Sequence, residues 1–187
     1  VQTGEVLNGH VEIDGAYFGG HVRPANAKVN RVDRRLKENQ TGKRRVVIIM
    51  REREGRSLPF VTMTESAGVA LASENVDRMS TMSADEASHW DMLHMGYHVD
   101  RVNHSEIYSD HGKHTNMAES YFSRLRRMVS GQHHHVSPQY LHQYANRAAW
   151  LEDNRRSDNG ELAHRLVSNS MDAPVSRNWK GYWQRAA

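Results

Sequence analysis

The 187-residue sequence contains no cysteine, which excludes disulfides, thiolate catalysis and zinc ribbons within this stretch and leaves any metal to oxygen or imidazole ligands. Long apolar runs are also missing. The longest, VVIIM at 46–50, falls far short of the roughly 20 residues that cross a bilayer, so no membrane segment and no membrane partner is expected. Neither sign of charge dominates: 25 Lys plus Arg against 22 Asp plus Glu leave a net charge of +3, a weak clue to any partner. No charged-then-apolar leader follows Val1, so secretion has no support, the assignment is cytoplasmic by default, and the chain reads as a fragment lacking its own start.

What is present is more informative. A pI near 9.3 and thirteen histidines leave a surface that polyanions could use. The basic residues concentrate in RVDRRLKENQTGKRR at 31–45 and SRLRRM at 123–128, although either run alone reads equally well as a solvated loop or helix face. The length suits one domain with a real core. A catalytic-sized unit over 1–157 and a polar C-terminal extension over 158–187 are the expected divisions.

The stretch VEIDGAYFGG at 11–20 alternates as a strand, with Glu12 and Asp14 on one face and Val11 and Ile13 on the other. Carboxylates so placed are expected to meet a cation. A polar, basic connection over about 21–43 should be exposed. RRVVIIMRERE and SLPFVTMTES read as two antiparallel strands that complete a three-strand meander with 11–18. A helix in GVALASENVDRMS, a short strand ending near Asp85, a second helix and a strand in YHVDRVNHS follow. The strongest helix lies at 115–129, where Ala118, Tyr121, Phe122, Leu125, Met128 and Val129 share one face and Glu119, Ser123 and Arg126 another. Ser137 and Pro138 should start a further helix, with Tyr144 and Trp150 expected in the core. A weak helix is expected at 160–170. Consecutive His133, His134 and His135 diverge too far to hold one ion and read as an exposed loop. This order describes an α/β fold in which an antiparallel meander leads into parallel strands, flanked by helices.

Asp14, Asp85 and Glu119 stand at the end of a strand, after a strand and early on a helix. Paired hard divalent ions need such oxygen ligands, yet three acids among 22 mean little without a pattern. The pattern is supplied by VEIDGAYFGG, GKRRVVIIMRERE, ADEASHWDML, VNHSEIYSDHGKHTNMAESYFSRLRRMVSGQHHH, YANRAAWLEDNRRSDNG and GYWQR. In this order they closely resemble the ISXO-two-like transposases of bacterial insertion sequences, of the DDE superfamily.

The resemblance implies a ribonuclease-H-like mixed sheet and a transposase that cleaves DNA at transposon ends and transfers strands with Mg²⁺ or Mn²⁺. Alternatives are a metal-dependent nuclease of the same fold and a catalytically inactive DNA-binding remnant. Asp14 and Asp85 correspond to the first two catalytic acids and metal ligands. Relatives carry Glu or Asn in third place, and both occur here. Glu119 is preferred because a carboxylate binds a divalent cation better than an amide and because Arg126 follows two turns on; Asn116 would orient a ligand, water or phosphate. DNA, as transposon ends and target, is the implied partner of a homo-oligomer, nucleoid-associated when bound. Arg34, Arg35, Lys43, Arg44, Arg124, Arg126, Arg127 and His114 are the expected DNA contacts. Relatives often follow the first Asp with Glu where this chain has Gly15, a change that alternation directs away from Asp14. The resemblance further implies an N-terminal DNA-recognition region, which is expected to lie outside this stretch.

Overall fold

The computed structural model describes residues 6–20, 25–33, 36–39, 41–102 and 114–174. Five strands, β1 (His10–Phe18), β2 (Arg45–Glu52), β3 (Ser57–Thr62), β4 (Thr81–Asp85) and β5 (His98–Val102), form one sheet in the order β3-β2-β1-β4-β5. The meander β1-β2-β3 is antiparallel, whereas β4 joins β1, and β5 joins β4, in parallel. Helix α1 (Ala67–Asn75) makes the crossover to β4. Helices α2 (Asn116–Arg127), α3 (Leu141–Asp153) and α4 (Asn159–Asp172) follow β5.

The unbroken apolar run in β2 reflects burial on both faces. Val46, Ile48 and Met50 join Val11, Ile13, Met82, Ala84 and Trp90 in one core cluster, with Val69 and Leu71 of α1 packed against it. Val47 and Ile49 join Ala16 and Phe18 on the opposite face, where α2 contributes Ala118, Tyr121, Phe122 and Leu125 and α3 contributes Ala145, Ala148 and Ala149. The helical spacing of the α2 residues is what lets one stripe cover the sheet.

Several local expectations need correction. The second expected helix is instead a 3-10 segment, Ser88–Met95, whose buried residues Trp90 and Leu93 are three apart, the spacing that aligns side chains in a three-residue turn. Ser137 precedes the Pro138–Tyr140 3-10 turn but makes no capping bond with its side chain. Trp150 is half-buried, and the fully buried indole is that of Trp90. The basic connection holds two short 3-10 turns, Lys28–Asn30 and Lys37–Asn39, and the first buries no residue. Helix α4 buries none of its side chains.

On the face beneath α2 and α3, one row of the sheet is polar from edge to edge. Ser57, Arg51, Glu12, Ser83 and Asp100 are cross-strand neighbours in turn, and all five are buried. Buried polar groups require partners, and the helix ends supply several of them. Ser57 donates its hydroxyl to Asp153 at 2.6 Å. Arg51 donates to the Met117 carbonyl at 2.9 Å and lies 3.3 Å from Glu152. Glu12 accepts from the backbone N–H groups of Met117 and Ala118 at 2.8 and 3.1 Å. Ser83 meets Nε2 of His10 at 2.8 Å.

Glu152 gathers Arg51, Arg124 and Arg155 around one buried carboxylate. Burial works to raise its pKa, but the Arg124 hydrogen bond and the charges of Arg51, Arg124 and Arg155 outweigh it and leave the pKa lowered. Its stabilisation is therefore complete above the ordinary carboxylate range and is lost as pH falls through the depressed value. Glu152→Ala, which strands the buried Arg51 charge, is expected to cost about 3–5 kcal/mol in urea denaturation at pH 7. The deficit should shrink toward pH 3; an equal deficit at both pH values would contradict the ionic origin.

Candidate active site

The acids follow directly from this register. Asp14 lies two residues beyond Glu12 and so on the same face. Pairing of β1 with β4 runs from His10↔Thr81 to Glu12↔Ser83. Continued by two residues, that register sets Asp14 level with Asp85, the last residue of β4. The paired register stops short of this row, at Glu12↔Ser83.

Each carboxylate is held by nearby backbone: Gly15 N–H donates to Asp14 at 2.7 Å, and Ala87 N–H donates to Asp85 at 3.0 Å. Burial raises the Asp14 pKa; the Gly15 bond opposes it, while the charges of Asp85, Glu65 and Glu119 raise it further, to about 7. Three other acids therefore act on Asp14 through their charge.

Glu119 reaches this field from the first turn of α2, where a negative charge also suits the helix N-terminus. Thr115 makes no side-chain cap there. The capping acceptor is Glu12, whose carboxylate binds two of the first amide groups from the sheet. The other oxygen of Glu12 faces Arg53 at 3.4 Å and His114 Nδ1 at 3.0 Å. Asn116 is exposed at the start of α2, one turn from Glu119.

The basic candidates divide. Lys43, Arg44, Arg126 and Arg127 are exposed. Arg44 lies over the Tyr17 ring, 3.8 Å from its centroid, and Arg126 lies 5.6 Å from the centroid of Phe122. Arg124 is engaged with Glu152 at 2.7 Å, and His114 turns one ring nitrogen inward to Glu12. Arg34 and Arg35 lie outside the described residues. Sequence reasoning did not single out Glu65, whose charge acts on Asp14, and it left Glu12 without its actual partners.

Carboxylate oxygens are the donor chemistry that Mg²⁺ or Mn²⁺ takes, and burial first, then the charges of neighbouring acids, disfavour the ionised form of Asp14 that a cation would offset. Among the described residues, however, no group of three His, Asp or Glu side chains is already gathered to hold an ion. A concavity of about 380 Å³ lined by residues including His10, Glu52 and Arg53 lies toward the start of β1, away from Asp14.

A mixed five-stranded sheet flanked by helices, with an acid on each of two adjoining strands and a third on a covering helix, is a ribonuclease-H-like architecture of the kind found in DDE transposases. The chain belongs to the ISXO2-like transposase domain family, whose model matches residues 6–153. No curated protein and no solved structure gives a significant match. Within the described residues, no helix is long and apolar enough to cross a membrane.

The Asp14 shift has a sign that can be tested. Its folded pKa of about 7 exceeds the ordinary 3.8, so the native state retains a proton that the unfolded chain releases. Ion-free stability should fall as pH rises from about 4 to 7 and level off above. Asp14→Asn, which removes the ionisation, should be more stable than the parent by about 4 kcal/mol at pH 8 and equal to it near pH 3. Thermal melts without divalent ions check this; an advantage independent of pH would refute it.

Proposed function

We propose that this protein is an insertion-sequence transposase that cleaves DNA strands at transposon ends and joins the freed ends to target DNA, in a reaction that depends on Mg²⁺ or Mn²⁺. The observation that carries the reading is membership of the ISXO2-like transposase family across residues 6–153. The shared field of Asp14, Asp85 and Glu119 supports it.

In this reading Asp14, Asp85 and Glu119 are the ion-binding acids. Bound divalent ions would supply Lewis acidity that activates the attacking oxygen and stabilises the leaving oxygen. Water attacks phosphorus in the cleavage step and the 3′ oxygen leaves; in the joining step that 3′ hydroxyl attacks a target phosphodiester and displaces another 3′ oxygen. Glu12 holds the helix turn that carries Glu119, so its part is positioning. Asn116, exposed on that turn, orients a water or phosphate. Lys43, Arg44, Arg126 and Arg127 neutralise DNA phosphates, which makes binding fall steeply as salt rises. Joining two ends to one target suits a homo-oligomer assembled on the DNA.

The third acid is tested by charge. Glu119→Gln keeps shape but removes the charge that balances the ions, and it should abolish cleavage, with a loss of at least about 100-fold on the scale of one electrostatic group, while leaving DNA binding near normal. Asn116→Ala should be milder. Cleavage and strand-transfer assays on transposon-end DNA, with binding measured alongside, decide it. An active Glu119→Gln beside an inactive Asn116→Ala would make Asn116 the third ligand. Cleavage without joining would indicate a nuclease of the same fold.

A further inference from the structure

The glycine pair Gly19 and Gly20 that follows β1 shapes the surface beside it. Both residues have positive φ, +75° and +67°, a region that other residues rarely adopt. A Cβ at Gly20 would stand 2.8 Å from Cβ of Arg44, and one at Gly19 would stand 3.2 Å from the Lys43 carbonyl oxygen. The pair thus lets the chain leaving β1 pass close to the residues that lead into β2. Beside this crossing the Arg44 guanidinium lies over the Tyr17 ring, 3.8 Å from its centroid.

Phe18, the next residue, is buried in the core, whereas Tyr17 remains 46% exposed even with the guanidinium against it. Stacking uses the plane of a guanidinium and leaves the N–H groups at its edge for an anion. Among the described residues no hydrogen bond or ion pair occupies those of Arg44. Glu65 feels the Arg44 charge, yet its carboxylate pairs with His89 at 3.4 Å. Tyr17 stands three residues beyond Asp14, about 10 Å along the strand at roughly 3.3 Å per residue, and past the level at which β4 ends with Asp85. Alternation turns it to the face opposite Asp14, so the Tyr17–Arg44 pair flanks the acids without joining them.

We propose that Tyr17 and Arg44 form a nucleobase site beside the acids: an unpaired base of the DNA stacks on the pair while the edge of the guanidinium takes the adjoining phosphate. A single strand carries a flat apolar base next to each negative charge, so it uses both halves of the pair. A simple anion would leave the ring idle, and a duplex keeps its bases stacked on each other. This rests on the DNA reading above and adds a contact to a base where that reading assigns contacts to the backbone alone.

The test is binding of the whole chain to an oligothymidine strand with one central 2-aminopurine, whose fluorescence stacking quenches, and to the same strand paired with its complement. Thermal melts serve as a folding control. The parent should bind the single strand and quench the probe. Tyr17→Leu should weaken that binding about 10-fold and abolish the quenching, with the salt dependence unchanged. Tyr17→Phe, which restores the ring, should recover both. Arg44→Gln should instead lower the slope of log affinity against log salt by about 0.7, the equivalent of one phosphate contact to a single strand. Parental affinity or quenching in Tyr17→Leu would overturn the site, as would an equal loss on the duplex, which would make Tyr17 a backbone contact. Should Tyr17→Leu melt early, Arg44→Gln decides, and an unchanged salt slope there overturns the site as well. A parent that binds neither DNA at low salt rejects the DNA reading itself, whereas a parent that binds beside an unaffected Tyr17→Leu rejects this site alone.

Discussion

The hold of Glu12 on the first turn of α2 is the interaction on which the rest of the site depends. One oxygen of a fully buried carboxylate accepts two amide groups that the helix cannot satisfy within itself. The positive end of the helix offsets part of the cost of burying the charge. On the adjoining strand, Arg51 binds the Met117 carbonyl of the same turn. Hydrogen bonds in both directions fix the height of α2 over the sheet, which apolar contacts with Phe122 and Leu125 would leave freer to slide. Since Asp14 is two residues from Glu12 and Glu119 two residues from Met117, the same hold sets the relation between the sheet acid and the helix acid.

The polar row extends this principle to α3. Asp153 bonds both the backbone N–H and the hydroxyl of Ser57, while Glu152 takes up Arg51, Arg124 and Arg155. Such a row is costly to desolvate, and its contribution lies more in fixing one arrangement than in net stability. The next row carries Asp14, where burial and the charges of neighbouring acids act together against its ionisation. Charge is thus opposed by arginines at Glu152 and by nothing comparable at Asp14.

Much of this was legible in the chain. The alternation of VEIDGAYF put Glu12 and Asp14 on one face, the run VVIIM announced a strand covered on both sides, and the spacing from Ala118 to Leu125 defined the buried stripe of α2. Those signals are local and reflect the pleat and the helical turn. The partners were harder to read. Glu152 lies in EDNRR, which resembles a solvated helix end, yet it is buried among three arginines. Glu65 looks like the polar tail of a strand, and His114 like an exposed neighbour of DNA.

By itself the sequence determined the elements, the faces of the strands, the family and the acids worth testing, because periodicity and motif order belong to the chain. The tertiary structure decided which distant groups meet. Placing β1 between β2 and β4 puts Glu12 between Arg51 and Ser83, and folding α1 against the sheet lets Glu65 fill the space beside Gly15. Those choices depend on strand order and helix placement, for which no short stretch of residues carries a sign.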